Sequence, residues 1–208
     1  MILNALLIIA GSYLVGSIPT AFLAGKLLKG IDIRQVGSGN IGATNVFRSI
    51  GKTAGIGVLV IDMLKGVVPV LLAANFAPGP YTEIYKILAG LAAICGHIWT
   101  VFLNFKGGKG VATSTGVLLT LAPIAALAAF IVFILTVTIS RYISLGSMMA
   151  ASAMPLLTWY FNPGQTELFY FVLVVAVLID LRHIPNLKRI VKHEEHKFSF
   201  KIKKDCAN

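Results

Sequence analysis

The chain has 208 residues, of which 57% are hydrophobic and 12% charged, with a mean hydropathy of +0.84. Soluble domains carry roughly 25% charged residues, so this composition excludes an ordinary soluble globule and leaves room for one integral membrane domain. The net charge of +10 raises nucleic acid as a partner. Nearly all of the Lys and Arg, however, fall at 26–52, 106–109, 141 and 182–204, the breaks between apolar runs and the tail. The positive-inside rule accounts for that pattern and sets nucleic acid aside.

The first apolar run, Ile2 to Leu27, exceeds the roughly 20 residues that a crossing needs. No basic segment precedes it, which speaks against a cleaved signal peptide. Lys26, Lys29 and Arg34 follow it and predict an outside N-terminus. Ser12 and Gly16 form a small-xxx-small face. Gly16-Ser17-Ile18-Pro19-Thr20 predicts a proline kink, with Ser17 and Thr20 lining a site as the alternative. Next comes Gly37-Ser38-Gly39-Asn40-Ile41-Gly42-Ala43-Thr44-Asn45-Val46-Phe47-Arg48. Its glycines let backbone N–H groups converge, and Arg48 adds a planar charged fork. The stretch reads as an anion-binding floor at a membrane surface.

A second span, 54–76, contains Asp62 and Lys65 on one helical face. They read equally as a self-compensating pair or as a polar cavity with Lys65 facing substrate. Ala77-Pro78-Gly79-Pro80 is an outer turn, and a third span, 84–105, leads inward. Within it, His97 reads as a packing histidine, with a site role as the alternative. Trp99 fits an interfacial aromatic. The second polar island, Asn104-Phe105-Lys106-Gly107-Gly108-Lys109-Gly110-Val111-Ala112-Thr113, places two lysines at a helix start. That arrangement suits an anion. The spacing is not that of a nucleotide-binding P-loop.

Apolar blocks at 111–121, 124–139, 143–161 and 167–181 make an even number of crossings between Lys109 and Arg182. The expected fold is an all-α integral membrane protein, a seven-helix transmembrane bundle with N-terminus out and C-terminus in. Five crossings are the alternative. Arg141-Tyr142-Ile143-Ser144-Leu145-Gly146-Ser147 forms a third inner polar patch. The chain divides into one transmembrane domain, 1–196, and a basic cytoplasmic tail, 197–208. Cys95 and Cys206 read as free thiols. His193-Glu194-Glu195-His196 lacks the four-residue histidine spacing of zinc helices, so no metal or other cofactor is expected.

Three stretches resemble the cytoplasmic motifs of the PlsY family: Gly37 to Asn45, Lys106 to Gly110, and Arg182-His183 with Asn186. Gly16-Ser17-Ile18-Pro19, Asp62-Met63-Leu64-Lys65-Gly66, Gly96-His97 and Ser140-Arg141-Tyr142 are also similar, and Glu195 looks like a tail glutamate of that family. The resemblance implies an acyltransferase of the bacterial inner membrane, with its site at the cytoplasmic face. It would transfer an acyl group from acyl phosphate to the 1-hydroxyl of sn-glycerol 3-phosphate, giving 1-acyl-glycerol 3-phosphate (lysophosphatidic acid) and phosphate in phospholipid synthesis.

On that reading Ser38, Asn40, Asn45 and Arg48 position phosphate and stabilise the developing oxyanion. Lys106, Lys109, His183 and Asn186 hold glycerol 3-phosphate. Either His183 or the substrate's own phosphate acts as base. The residues completing the substrate-binding set are Gly37, Gly39, Gly42, Thr44, Lys65, His97, Gly107, Gly108, Gly110, Thr113, Arg141, Ser144 and Glu195. The partners are acyl phosphate, glycerol 3-phosphate and the lipid bilayer, and the protein is expected to be a monomer. A transporter of a phosphorylated or anionic solute is the competing class, but transporters place their sites near the midplane between repeated halves. Here the polar groups gather at one face.

Overall fold

The computed structural model describes residues 2–76 and 79–198, and all regular structure among them is helical. Ala77 and Pro78 of the expected outer turn, and residues 199–208 with Cys206, lie outside the described residues. The first apolar run divides into α1 (Ile2–Ser17) and α2 (Thr20–Lys29). Pro19 has no N–H to donate and pushes Ile18 out of helical geometry. The carbonyls freed by the break also accept from side chains elsewhere in the chain. The Thr100 hydroxyl donates to the Ser17 carbonyl at 2.5 Å, and the Lys65 ammonium to that of Ile18 at 2.5 Å.

Seven further helices follow: α3 (Ala43–Ser49), α4 (Lys52–Phe76), α5 (Thr82–Ile98), α6 (Val111–Leu121), α7 (Pro123–Ser140), α8 (Ile143–Phe161) and α9 (Thr166–Val191). Two departures from the sequence reading matter for the site. The second half of the glycine-rich stretch is helical, forming α3. The last helix does not stop at 181 but continues to Val191, because Ile179, His183 and Asn186 keep one face buried through Pro185. Among the described residues five segments are long and apolar enough to cross a membrane: Leu3–Lys29, Lys52–Phe76, Thr82–Leu103, Pro123–Ser140 and Thr166–Val191. At 11 residues, α6 reaches about 16 Å, short of the roughly 30 Å of hydrocarbon.

α1 packs on α5, α4 on both α5 and α6, and α8 on both α7 and α9. Apolar burial gives little drive to helix association in lipid, so close backbone approach carries it. Gly16 lies against the Ala93 backbone and Gly96 against that of Tyr13. Gly66 and Gly116 seat α4 against α6 at Thr113 and Met63. At none of these four does a side chain fit.

Asp62 and Lys65 form a buried ion pair at 2.6 Å, 2% and 4% exposed, and the Thr20 hydroxyl donates to Asp62 at 3.0 Å. His97 Nδ1 lies 3.9 Å from the same carboxylate. Because the ammonium also caps the broken first helix, the pair ties α1, α2 and α4 together.

Candidate active site

Loop 30–42 owes its shape to one side chain. Asn45, 1% exposed, donates from Nδ2 to the carbonyls of Ile33 and Val36, each at 3.0 Å. Its Oδ1 accepts from the Ser38 N–H at 3.0 Å and the Ser49 hydroxyl at 3.4 Å. Gly37 turns with φ 59° directly over that amide, leaving no space for a Cβ. Asn45 is therefore engaged with its own loop. Asn45→Ala is expected to destabilise the protein by about 2 kcal/mol, because it orphans buried carbonyls. Proteolysis would then be faster within residues 30–42, and a wild-type digestion pattern would refute this role.

The lysine loop is held from both sides. The Gly107 and Gly108 N–H groups donate to the Ile98 and His97 carbonyls, each at 3.0 Å, and Gly108 packs flat on the His97 ring. The Arg182 guanidinium donates to the Gly108 carbonyl at 3.3 Å. These two N–H groups, expected to face an anion, are instead engaged within the chain. Lys109 turns inward and its ammonium donates to Asn186 Oδ1. Burial lowers its pKa to about 8. Glu195 opposes that shift, whereas the guanidinium groups of Arg189, Arg182 and Arg48 add to it.

α9 then presents one stripe. His183 Nδ1 lies 2.8 Å from the Ile179 carbonyl. A carbonyl only accepts, so the proton sits on Nδ1 and leaves Nε2 for the cavity. One turn on, Asn186 donates to Glu195 at 2.7 Å. Ser144 at the start of α8 donates to the same carboxylate at 2.8 Å, and Arg189 at 2.7 Å. Burial alone would raise the Glu195 pKa, but these three hydrogen bonds outweigh it and hold the carboxyl below its ordinary range. Residues 193–198 thereby become a strap along the rim. Arg48 donates to the His196 carbonyl at 3.3 Å, the Phe198 N–H to that of Arg141 at 2.6 Å, and the Phe47 and Phe198 rings lie 6.2 Å apart. Lys197 sits over the Tyr142 ring. Residues assigned to the tail by the sequence reading thus pack on the body.

These pieces enclose a cavity of about 700 Å³. Thirteen of the predicted residues line it: Ser38, Asn40, Gly42, Thr44, Asn45, Arg48, His97, Lys109, Gly110, Ser144, His183, Asn186 and Glu195. Gly37, Gly39, Gly107 and Gly108 shape the adjoining loops. Thr113 is buried with its carbonyl against Gly66. Lys65 stays in its ion pair outside this cavity, and Lys106 and Arg141 are exposed and do not line it. The lining also includes Asp62, Ser114, Ser147, Arg189 and His196, absent from the predicted set. The helical stripe 179, 183, 186, 189 would have marked Arg189 had α9 been extended. Below the polar rim the walls turn apolar, with Leu59 and Met63 of α4, Leu118 of α6, Phe130 of α7 and Met154 of α8.

Comparison with known proteins adds an independent line. The glycerol-3-phosphate acyltransferase family model matches residues 6–193. The chain is 52% identical to a glycerol-3-phosphate acyltransferase of Trichlorobacter lovleyi, over 91% of this chain and 95% of that one. It is 50% identical to glycerol-3-phosphate acyltransferase 2 of Moorella thermoacetica, over 92% and 96%. Among solved structures it is similar to the integral membrane glycerol 3-phosphate acyltransferase PlsY in its glycerol 3-phosphate form, with TM-score 0.87 and 38% identity over 94% and 96% of the two chains. The lysophosphatidic acid form of PlsY matches with TM-score 0.83 and 37% identity, over 94% and 95%.

Proposed function

Because this chain belongs to the glycerol-3-phosphate acyltransferase family of PlsY type, it is a membrane enzyme that acylates glycerol 3-phosphate in phospholipid synthesis, and we propose that its donor is an acyl phosphate. One observation carries the donor: a single cavity joins a cationic rim, formed by Arg48, Lys109 and Arg189, to an apolar groove. An acyl phosphate is shaped that way, with its phosphate bonded directly to the carbonyl carbon. As a mixed anhydride it already carries its leaving group, so transfer needs position and charge rather than a covalent enzyme intermediate.

Lys109, Asn186 and Arg189 hold the glycerol 3-phosphate phosphate. Ser38, Asn40, Thr44 and Arg48 hold that of the donor. The attacking hydroxyl loses its proton to His183 Nε2 or to a phosphate oxygen, and the product is 1-acyl-glycerol 3-phosphate. The basic residues of loops 26–52 and 106–109 and of the C-terminal segment support an outside N-terminus and a site on the cytoplasmic face of the inner membrane.

Purified protein given labelled glycerol 3-phosphate with acyl phosphate, acyl-CoA or acyl carrier protein as separate donors tests the proposal. Product is expected only with the first, and product only with a thioester would refute it. Glu195→Gln is expected to lower kcat/KM about tenfold through loss of a charge-assisted contact to Arg189. It should also move the alkaline limb of the pH profile to lower pH, because Glu195 is the group that supports the Lys109 charge. An unmoved limb would separate the two residues.

A further inference from the structure

The hydroxyl groups of α6 and α8 that line the cavity differ in what they already hold. Ser144 donates to Glu195, whereas Thr115 and Ser147 donate back to the Val111 and Ile143 carbonyls at 2.9 and 3.0 Å. Ser114 lines the same cavity, is 1% exposed, and its Oγ has no hydrogen-bond partner among the described residues. A buried hydroxyl without a partner keeps its desolvation cost, and such groups in native proteins point to a ligand or water.

The level of Ser114 in the cavity indicates which ligand atom it meets. α6 and α8 descend from the rim, and α9 climbs to it. Gly110, Ser144 and Asn186 stand at the rim, and about 5.4 Å deeper come Ser114, Ser147 and His183. One more turn brings Leu118, Ala151 and Ile179. Phosphate groups belong with the cations of the first level and the hydrocarbon chain with the third. The reacting carbonyl therefore lies on the middle level, beside the unengaged hydroxyl. Ser114 also sits in the first turn of α6, where the helix dipole favours negative charge.

We propose that Ser114 is a catalytic residue whose Oγ–H donates to the acyl carbonyl oxygen as that oxygen becomes an oxyanion; the assignment rests on the acyl transfer proposed above. The C1 hydroxyl oxygen of glycerol 3-phosphate bonds to the acyl carbon and gives up its proton to the base. The carbonyl π pair moves onto oxygen, where Ser114 donates to it. That pair then returns to re-form the carbonyl as the bond to the donor's phosphate breaks, and phosphate departs with the bonding electrons. Ser114 keeps its proton throughout and forms no bond to the acyl group.

The test is steady-state kinetics of the purified full chain with both substrates varied, alongside thermal unfolding in detergent. Ser114→Ala is expected to lower kcat about a hundredfold, as for one oxyanion donor, with both KM values within about twofold of wild type. Its unfolding midpoint should be unchanged or raised, because an unpaired buried hydroxyl has been removed. Ser114→Thr, which retains the hydroxyl, is expected to be at least about tenfold faster than the alanine variant. Wild-type kcat in Ser114→Ala, a loss carried by KM, a lowered midpoint, or a threonine variant no faster than alanine would each overturn the assignment. A wild type inactive with acyl phosphate but active with acyl-CoA overturns the donor alone. The Ser114 comparison then proceeds with acyl-CoA, whose carbonyl presents the same oxygen.

Discussion

Lys109→Met is expected to lower kcat/KM for glycerol 3-phosphate about a thousandfold, the mid-range cost of truncating one partner of a buried, hydrogen-bonded charge pair. Lys109 is the ammonium that the lysine loop turns into the cavity, and it bridges to Asn186 on α9. Two phosphorylated substrates must lie side by side there, so loss of one inward cation restores their mutual repulsion. Methionine keeps the length and apolar character of the stem. A pH profile checks the same group independently. With its pKa lowered to about 8 by burial, Lys109 is charged below that value and neutral above it. In the free enzyme kcat/KM should therefore fall as pH rises through about 8, well below the range of an ordinary lysine. Lys109→Met should lack that limb. Near-normal kinetics in the variant would remove Lys109 from the site.

Lys65→Met is expected to cost about 3–5 kcal/mol of stability, the usual consequence of leaving one member of a buried ion pair uncompensated. Asp62 would remain at 2% exposure with only the Thr20 hydroxyl and the distant His97 ring facing it. The carbonyl of Ile18, at the proline break, would also lose the ammonium and keep only the Thr20 N–H at 3.0 Å and the Thr20 hydroxyl at 3.5 Å. In a chain of this size the unfolding midpoint in detergent should drop by about 10 °C. The double variant Asp62→Leu/Lys65→Met should recover much of that, since replacing both charges by apolar groups is often neutral. Intact stability with lost activity in Lys65→Met would instead mark Lys65 as a substrate group, the other reading open at the sequence level.

Much of the cavity lining was legible because its polar residues stand out against an apolar background. In a chain this hydrophobic, each of Gly37 to Arg48, Lys106 to Thr113 and the run from Arg182 needs a reason to be polar. All three contribute to the same cavity. The division of labour within them was not legible. Asn45 and Arg48 both suit phosphate by residue type, yet Asn45 spends its amide on the loop and Arg48 remains at the rim. Lys106 and Lys109 are three residues apart and chemically identical, but of the two only Lys109 lines the cavity, and the backbone bonds of Gly107 and Gly108 fix the turn between them. Ser114 carried no signal at all, being the middle of three consecutive hydroxyl residues, Thr113 to Thr115, on α6.

The sequence by itself determined that this is a helical membrane protein, that its first helix breaks at Pro19, and which three polar stretches stand out from the apolar background. Those properties follow from local hydropathy, proline geometry and glycine content, each read within a few neighbouring residues. Only the tertiary structure decided which polar atoms are already satisfied and which remain open to substrate. Hydrogen-bond partners here lie up to 148 residues apart, as for Arg48 and His196, so packing alone brings them within reach. In lipid, where each unmet polar group is costly, that allocation separates the groups holding the fold from those left for chemistry.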